Sequence, residues 1–394
     1  MFGKTPNAIV GVDLGSHSIK AVRLQRTGSA FTLARVSLVL SNRDPQSQTL
    51  PTEHEMATLI KSALSLVRAS GAHIHLAVNS PNSTIRYVDL PCMPLDNLRS
   101  ALRYSSATHL RQNFENYTFD ACALEDDGAF ASSTRKGASS GAGKAKALVG
   151  GLPNTEAMLY YHAARRAGAR PRSLQLAPIA LINGLEAANP EIFTGESIVL
   201  LDMGLLTTSL TILDRGKPQL TRAVPVGGRH LTEYIAQGSN SEYTRAERSK
   251  TQGEADLAQA LAHAGSNLIR EILSSINFFE KNTEQAVSRI LVVGASARSE
   301  TLIAALADQS GKTCQPWCPS GRLSLHLPVE QREMFAANHV SFATAIGAAL
   351  SHLPPAISAL PATRPAPAKS AVSPSLSIPP NASRAATRPP SRAT

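Results

Sequence analysis

Residues 10–22 read VGVDLGSHSIKAV, an apolar run that contains one aspartate and is followed by a Gly-Ser-His-Ser turn. Asp, Gly and Ser are ordinary turn residues, so a simple β-hairpin is one interpretation of this stretch. A phosphate-binding loop is the other, since glycine lets the backbone approach an anion, serine hydroxyls and amides donate to it, and an aspartate holds a metal. One copy of the pattern does not decide between the two.

A second copy of the pattern lies near the middle of the chain, where residues 197–204 read SIVLLDMG and two more strand-like segments follow. Both copies read Asp-x-Gly-x-x-Ser/Thr, through Asp13, Gly15 and Ser18 in the first and Asp202, Gly204 and Thr207 in the second. A chance turn does not recur with the same offsets after matching strands. The repeat therefore favours a pair of phosphate-binding hairpins over two unrelated turns.

The composition indicates a globular protein rather than a membrane protein. A length of 394 residues accommodates two domains, and a hydrophobic content of 43% permits a sizeable core. We expect no secretion signal, and no apolar run reaches the roughly 18 to 20 residues of a membrane span. Only Cys314 and Cys318 of the four cysteines are close in sequence, and no further zinc ligands lie nearby. We therefore expect a reducing, cytoplasmic setting.

The charge of +10 does not by itself identify a partner. Part of it lies in residues 354–394, a stretch of Pro, Ala, Ser, Thr and Arg that is predicted to be a disordered tail. A Gly/Ser/Ala-rich stretch at about 125–146 is predicted to be a flexible loop. The basic balance fits an anionic membrane surface or simple solubility as well as nucleic acid, and an aromatic content of 5% argues against base stacking.

Five motifs resemble, in order and spacing, those of the PilM family of actin-like type IV pilus assembly proteins, within the actin and hexokinase superfamily; FtsA is the second most similar family. The resemblance covers about residues 8–352. The motifs are IVGVDLGSHSIKAVRL (9–24), DLPCMPLDNLRSALRYSSATHL (89–110), DMGLLTTSLTILDRGKPQLTRAVPVGGRHLTEYIA (202–236), EYTRAERSK (242–250) and LVVGASAR (291–298).

The resemblance implies an α/β, actin-like (ribonuclease H-like) two-domain fold with a nucleotide cleft and an inserted subdomain. The implied segments are 1–91, 171–195 (connecting helix) and 335–353 (C-terminal helix) in domain I, 92–170 as the insert, 196–334 as domain II and 354–394 as the tail.

The resemblance also implies that ATP and Mg²⁺ bind between the domains. Asp13 and Asp202 are the implied metal residues, acting through water, because Mg²⁺ is a hard cation that keeps much of its hydration shell. The implied nucleotide contacts are Gly15, Ser16, Ser18, Lys20, Gly204, Thr207, Thr208, Gly227, Glu247, Lys250, Gly294, Ala295 and Arg298. Plainer interpretations stay open, namely a turn cap for Asp202, solvated lysines at 20 and 250, a surface Arg298, and an exposed His17.

Two departures from the family pattern bear on activity. Ala295 stands where the family's adenosine loop has a second glycine, and Ser299-Glu300-Thr301 stands where Pro-Gly is expected. Ala177 occupies the position of a glutamate that several relatives use to position water or couple the domains. Losing a positioned base typically costs about 10²- to 10⁴-fold in rate, so we expect ATP binding with weak or absent hydrolysis.

The implied function is a cytoplasmic scaffold, peripheral to the inner membrane, in a type IV pilus or type II secretion-like assembly. In the family, a groove beside the insert takes the cytoplasmic N-terminal peptide of the membrane protein PilN; other pilus proteins and self-association are further implied contacts. Leu102, Tyr104 and Leu110 are candidate lining residues, with insert core as the alternative. We expect no direct nucleic acid contact, and membrane contact only through partners.

Two other functions are weighed against the scaffold. A small-molecule kinase of the same fold requires a substrate pocket and a general-base aspartate in domain I, for which the sequence offers no convincing candidate. An FtsA-like membrane tether usually requires a C-terminal amphipathic helix, which the prolines of residues 354–394 prevent.

Overall fold

The computed structural model describes residues 6–27, 30–45, 47, 49–124, 143–253, 255–351 and 375–376. The strands of these residues are β1 (Ala8–Leu14), β2 (Ser18–Thr27), β3 (Ala30–Leu40), β4 (His73–Val78), β5 (Thr84–Pro91), β6 (Tyr117–Ala123), β7 (Lys144–Pro153), β8 (Pro171–Leu176), β9 (Ser197–Met203), β10 (Thr208–Asp214), β11 (Lys217–Val224), β12 (Arg289–Val293), β13 (Thr313–Pro316), β14 (Ser324–Leu325) and β15 (Ser375–Leu376).

The helices alternate with these strands, as an α/β fold requires. They are α1 (Glu53–Leu66), α2 (Leu95–Tyr104), α3 (Ser106–Leu110), α4 (Asn154–Arg166), α5 (Ala177–Ala188), α6 (Pro190–Gly195), α7 (Gly228–Gly238), α8 (Tyr243–Gln252), α9 (Leu257–His263), α10 (Ser266–Thr283), α11 (Glu300–Ser310), α12 (Val329–Asn338) and α13 (Ala343–Leu350). None of these described helices is both long and apolar enough to cross a membrane.

Two sheets repeat the same central arrangement. The first has the order β14-β3-β2-β1-β4-β8-β15, and the second has the order β11-β10-β9-β12-β13. In each, a wholly buried strand (β1 or β9) pairs antiparallel with the strand after it and parallel with a strand on its other side. Strands buried on both faces are continuous apolar runs, which is why the two copies were recognisable from the sequence. The α/β fold with two similar domains is confirmed.

The inserted subdomain is a third sheet, with the order β5-β7-β6, and helices α2 and α3 pack on it. Its first strand is Thr84–Pro91, so the sheet begins before the predicted boundary at residue 92. Helix α4 lies at the other end of the predicted insert and packs against α1 of domain I. The sheet and its two helices therefore cover a smaller and earlier stretch than residues 92–170.

The chain returns to domain I earlier than residue 335. The short strand β14 pairs with β3, and α12 also packs on β3. Helix α13 then packs against α5 and β1, as expected of a C-terminal helix that returns to domain I. Glycines allow this close approach: a Cβ at Gly11 would lie 2.0 Å from the carbonyl oxygen of Ala345.

Gly347→Ala is expected to lower the free energy of unfolding by about 1–3 kcal/mol or more, because the added Cβ overpacks the contact between α13 and α5. That Cβ would lie 2.1 Å from the carbonyl oxygen of Ala180. Gly195→Ala is the matched control, since its Cβ would meet nothing within 4 Å. Urea unfolding of both variants tests this expectation, which equal stabilities would contradict.

The predicted loop and tail fall largely outside the described residues. Of the stretch at 125–146, residues 125–142 are outside them, and β7 already begins at Lys144. Of the tail at 354–394, only Ser375–Leu376 are described, and they pair as β15 with β8. For these two residues the expectation of no regular structure was wrong.

Candidate functional site

Two aspartates lie at the carboxyl ends of the central strands of the two domains. Asp13 is the penultimate residue of β1, Asp202 is the penultimate residue of β9, and both are buried. Burial, together with the charge of Asp13, raises the pKa of Asp202 to about 7, while Lys20 acts in the opposite direction. The two predicted metal residues are therefore close enough to repel each other electrostatically.

Lys20 forms an ion pair with Asp13. It lies directly opposite Asp13 in the β1–β2 register, and its Nζ is 3.2 Å from Asp13 Oδ2. Both side chains are mostly shielded from solvent, with 15% and 11% of their surface exposed. Of the two interpretations of Lys20, the solvated strand residue is thus ruled out, and the lysine instead supplies positive charge at the base of the cleft.

Asn79 joins this group, although no clear signal in the sequence predicts it. Its Nδ2 donates to Asp202 Oδ2 at 3.4 Å, and its Oδ1 accepts from Ser209 Oγ at 3.1 Å. Asn79 follows β4, which runs parallel to β1, so it lies at the same sheet edge as Asp13. It links domain I to the second hairpin of domain II.

The two glycine turns have the same geometry. A Cβ at Gly15 would lie 2.7 Å from the carbonyl oxygen of Ser18, and a Cβ at Gly204 would lie 2.9 Å from that of Thr207. Each glycine therefore allows its hairpin to close tightly, at the same offset from its aspartate. The structure thus gives the sequence repeat a common three-dimensional form.

The hydroxyl side chains of the two turns differ in how accessible they are to a bound nucleotide. Ser16 is exposed, and Ser18 and Thr207 are half-buried at the turn. Thr208 is fully buried, and its Oγ1 donates to the carbonyl oxygen of Val226 at 2.6 Å. The Thr208 hydroxyl is therefore used in holding the second hairpin, which argues against the nucleotide contact predicted for it.

Gly227 allows close packing, and its amide already donates within the protein. Its Cβ would lie 2.6 Å from the carbonyl oxygen of Gly204, and its own amide donates to Nδ1 of His230. The next two amides, of Gly228 and Arg229, donate to the carbonyls of Gly204 and Leu205 at 2.9 Å each. The start of α7 is thereby fixed on the second glycine turn.

Glu247 and Lys250 form one cluster on α8, in which Lys250 is buried and 37% of the Glu247 side chain is exposed. Lys250 Nζ lies 2.6 Å from Glu247 Oε2 and donates to Thr232 Oγ1 at 2.6 Å and to the carbonyl oxygen of Gly228 at 3.1 Å. Burial lowers the pKa of Lys250, and Glu247 opposes that change. The solvated interpretation of Lys250 is thus ruled out, and the two predicted nucleoside residues stand together beside the start of α7.

The predicted adenosine loop crosses over the end of β9. Gly294 has a φ of +96°, and its Cβ would lie 2.3 Å from the carbonyl oxygen of Met203, so only glycine fits there. Ala295–Arg298 form a 3₁₀ turn after it. Arg298 is exposed, and its guanidinium donates to Asn338 Oδ1 at 2.8 Å and to the carbonyl oxygen of Ala295 at 3.1 Å.

A narrow pocket brings this loop together with α7, α8 and α9. Its lining residues are Leu231, Lys250, Thr251, Leu257, Ala295, Ser296, Arg298, Ser299 and Leu302. Its volume is only about 30 Å³, and its lining combines apolar side chains with Lys250, Thr251 and Arg298. Ala295 and Arg298, for which the sequence predicts nucleoside contacts, both line it.

His17 is half-buried rather than exposed, contrary to the sequence expectation. Burial lowers its pKa, Glu247 raises it, and Lys20 and Lys250 lower it further. The first glycine turn of domain I therefore lies within electrostatic reach of the α8 cluster of domain II. The two halves of the site face each other across one cleft.

The donor set fits a magnesium ion that is held through water and phosphate. Among the described residues there is no group of three or more His, Cys, Asp or Glu side chains that could hold a metal. Two opposed carboxylates are enough for Mg²⁺, which keeps several waters and usually takes one or two carboxylates together with phosphate oxygens. The closely approached glycines leave space beside these carboxylates.

A larger cavity, of about 570 Å³, lies away from the paired aspartates. It is formed between the insert and the β11 edge of domain II, and residues from both sides line it, including Arg86, Phe114, Arg222 and Glu271. Neither Asp13 nor Asp202 lines it. It adjoins the cleft through Ser209, which lines the cavity and donates to Asn79.

Comparison with known proteins supports the family resemblance over part of the chain. Residues 179–353, somewhat less than half of the chain, match the family model described as type IV pilus assembly protein PilM. The resemblance to the PilM family predicted from the sequence is thus confirmed for that stretch, which contains Asp202, Glu247, Lys250 and Gly294. No curated protein matches the chain.

A solved structure with a TM-score of 0.72 confirms the fold over most of the chain. A chain of a PilM-PilN type IV pilus biogenesis complex is 22% identical, with a TM-score of 0.72, covering 87% of this chain and 97% of that one. The ethanolamine utilization protein EutJ from Carboxydothermus hydrogenoformans is 16% identical, with a TM-score of 0.48 and coverages of 88% and 90%. MreB 5 of Spiroplasma citri bound to AMPPNP is 12% identical, with a TM-score of 0.48 and coverages of 88% and 95%.

Proposed function

We propose that this chain is a nucleotide-binding, actin-like scaffold of a type IV pilus or type II secretion-like assembly, binding Mg-ATP in its cleft and a peptide of a PilN-like membrane protein beside its insert. The observation that carries the nucleotide role is the buried pair Asp13 and Asp202, one from each domain, at the ends of matching glycine hairpins. Two carboxylates this close are costly without a cation, and a bound Mg²⁺ would remove their repulsion.

The two domains would contact different parts of the nucleotide. The Gly15 and Gly204 turns allow backbone to approach the phosphates, and Lys20 adds positive charge beside them. The α8 pair Glu247 and Lys250 is suited to the ribose, because it offers both an acceptor and a donor. Such a ligand would bind domain I and domain II at once and hold them closed.

The site proposed for the partner is the boundary between β8 of domain I and the insert. Leu174 and Leu176 of β8 belong to the same apolar cluster as Leu148 and Leu152 of β7. Tyr87 and Cys122 are partly buried against this cluster. Strand β8 pairs with β4 on one side and with only the two residues of β15 on the other, so an extended peptide could pair along the rest of that side. Contact with the inner membrane would then come through the partner.

The lining residues first considered for this groove are replaced by others. Leu102 and Leu110 are buried in the core between the insert sheet and its helices α2 and α3, as the alternative interpretation held. Tyr104 is 81% exposed at the end of α2. Cys122, on the sheet face toward domain I, is a better candidate.

Cys122→Glu in the full chain is expected to abolish binding of a labelled synthetic peptide carrying the cytoplasmic N-terminal residues of a PilN-like protein. The wild type should bind it with a micromolar dissociation constant, measured by fluorescence anisotropy, since a few buried aliphatic side chains at about 1.5–3 kcal/mol each suffice. Tyr104→Glu is the control and should bind as the wild type does.

Mg-ATP binding must survive in Cys122→Glu for this result to locate the peptide. Equal peptide affinity in all three proteins would place the partner site elsewhere and reject the groove. An unfolded variant would be recognised by its loss of the nucleotide as well.

ATP turnover is expected to be slower than about one per second, a typical lower figure for enzymes. Ala177, where a water-positioning glutamate is expected, is the buried first residue of α5 and has no group able to orient or deprotonate water. Phosphate release from Mg-ATP in single- and multiple-turnover assays measures the rate. Faster release would mean that another residue positions the water.

A further inference from the structure

We propose that the cavity of about 570 Å³ between the insert and the β11 edge is a second ligand site, which takes a small hydroxy acid whose carboxylate pairs with Arg86. The cavity is lined by neither Asp13 nor Asp202, so the site is distinct from the one proposed for Mg-ATP. It also stands whether or not a peptide binds beside β8.

The cavity has the size and the surroundings of a ligand site. Its volume lies in the range of about 300–1,000 Å³ that is typical of small-molecule sites. Residues 81–86 form part of one wall, and residues 221–225 with Asn267 and Glu271 of α10 form the other. In the described sheets β5 pairs only with β7 and β11 only with β10, so neither sheet continues into the space. A bound molecule would therefore contact the insert and domain II at once.

Arg86 supplies a positive charge to this cavity that no carboxylate balances. Its Nη2 donates to Gln112 Oε1 at 3.1 Å and its Nη1 to the carbonyl oxygen of Ile85 at 3.2 Å, both neutral acceptors. Its guanidinium lies over the ring of Phe114, 5.8 Å from the centroid. In the described part of the chain it forms no ion pair. Burial lowers the pKa of Arg86, because water is partly removed from its charge.

The other charges of the cavity balance each other. Three of the described lining residues are charged, namely Arg86, Arg222 and Glu271. Arg222 Nη1 lies 3.0 Å from Glu271 Oε2, and both side chains are about one third exposed. The uncompensated charge is thus that of Arg86 alone, and a ligand with one negative charge would neutralise it.

Thr84 presents a buried hydroxyl to the same cavity. It is 4% exposed, and its Oγ1 has no hydrogen-bond partner among the residues that the structure describes. Thr84 precedes Arg86 by two positions in β5, so the two side chains lie on one face of the strand. Because a buried hydroxyl without a partner is costly, an oxygen of the ligand would satisfy a group that the protein leaves unpaired.

The remaining polar lining indicates what else the ligand carries. It consists of side-chain amides and hydroxyls, which both donate and accept hydrogen bonds: Asn82, Ser83, Gln112, Ser209, Thr221 and Asn267. Hydroxyl groups of a ligand also donate and accept, so they match this lining better than an apolar molecule does. Together with the single charge at Arg86, this favours a hydroxy acid.

A carboxylate fits the site better than a phosphate does. The planar guanidinium can donate to both oxygens of a carboxylate, which adds direction to the charge pairing. A phosphate group carries about 1.5 to 2 negative charges at pH 7 and would leave an excess of negative charge in a cavity that also contains Glu271. The proposal therefore commits to a carboxylate.

Gluconate is the probe, because it combines one carboxylate with a chain of hydroxyls. Sorbitol is its neutral counterpart, and inorganic phosphate tests the other anion. Titration calorimetry of the full chain should show gluconate binding with a dissociation constant below about 1 mM, and no binding of sorbitol. Absence of gluconate binding, or equal binding of sorbitol, would overturn the proposal.

The decisive variant is Arg86→Gln, with Arg103→Gln as the matched control, since Arg103 is an exposed arginine of the insert that does not line the cavity. Gluconate should bind at least about tenfold more weakly to Arg86→Gln and unchanged to Arg103→Gln, because a charge-assisted pair is lost only in the first. Thr84→Val should weaken gluconate by a smaller factor, since it removes one neutral hydrogen bond.

Thermal melting of each variant shows whether it is folded. Should Arg86→Gln fail to fold, Arg86→Lys decides the question: it keeps the charge but loses the fork, and should bind gluconate at least about threefold more weakly than the wild type. Equal gluconate affinity of the wild type and the folded Arg86 variants would overturn the proposal, because the anion would then be bound elsewhere, for example beside Lys20. Phosphate binding that depends on Arg86, without gluconate binding, would overturn the assignment to a carboxylate.

Discussion

Asp13→Ala and Asp202→Ala are each expected to remove detectable Mg-ATP binding in titration calorimetry, whereas the wild type should bind. Each domain contributes one of these buried carboxylates, and no cluster of three metal-binding side chains exists among the described residues to replace a missing one. Without its cation the triphosphate would face the remaining carboxylate with its charge unbalanced. The loss should therefore be nearly complete in both variants.

Asp308→Ala is the matched control, because Asp308 is an exposed aspartate on α11 outside the cleft. It should bind as the wild type does, and EDTA should remove binding from both. Equal affinity of the wild type and both cleft variants would reject the phosphate cleft. Binding that persists in EDTA would reject the metal alone.

Asp202→Asn is expected to raise the free energy of unfolding of the ligand-free protein at pH 8, by up to about 4 kcal/mol. The pKa of Asp202 is raised to about 7, chiefly by burial and then by Asp13, against about 3.9 in an unfolded chain. Between these values the folded protein holds a proton that the unfolded chain has released, so wild-type stability falls as pH rises from about 4 to about 7. Asparagine cannot ionise and avoids that loss.

The difference between variant and wild type should thus be smallest near pH 4, grow up to about pH 7 and stay constant above it. Denaturant unfolding at several pH values measures it, with Asp308→Asn as the exposed control that should show no such trend. A difference that is the same at every pH would show that Asp202 does not titrate in this range. Mg-ATP should stabilise the wild type but not Asp202→Asn. This comparison separates the cost of ionising buried Asp202 from its role in binding Mg-ATP.

The parts of the fold that were predictable from the sequence are those with local signals. Strands β1 and β9 are apolar runs that end in the same Asp-x-Gly pattern, so the repeat could be recognised from the sequence. TIRYVDLP is predicted as a strand, but its place in the insert sheet was harder to predict, because it pairs with β7, whose residues lie about sixty positions later, across the stretch at 125–146. Composition does not reveal such non-local pairing, and the insert boundary was therefore placed too late.

Single polar residues were the least predictable part of the site. Asn79 after a buried strand looks like an ordinary turn residue, and only the parallel pairing of β4 with β1 brings it to Asp202. Thr208 fits the hydroxyl pattern of the turn, yet its Oγ1 donates to the carbonyl oxygen of Val226. Strand β15 was missed because proline-rich composition indicates disorder, and a two-residue pairing depends on the edge it meets.

Hydrogen exchange of the full chain with Mg-ATP, compared with ATP in EDTA, tests the central claim most directly. A nucleotide bound through its metal to both domains should slow exchange together in the β1–β2 turn at 14–19, the β9–β10 turn at 203–208 and the start of α7 at 227–231. The protection should vanish in EDTA. Protection of one domain only, or equal protection without the metal, would contradict a cation held between Asp13 and Asp202.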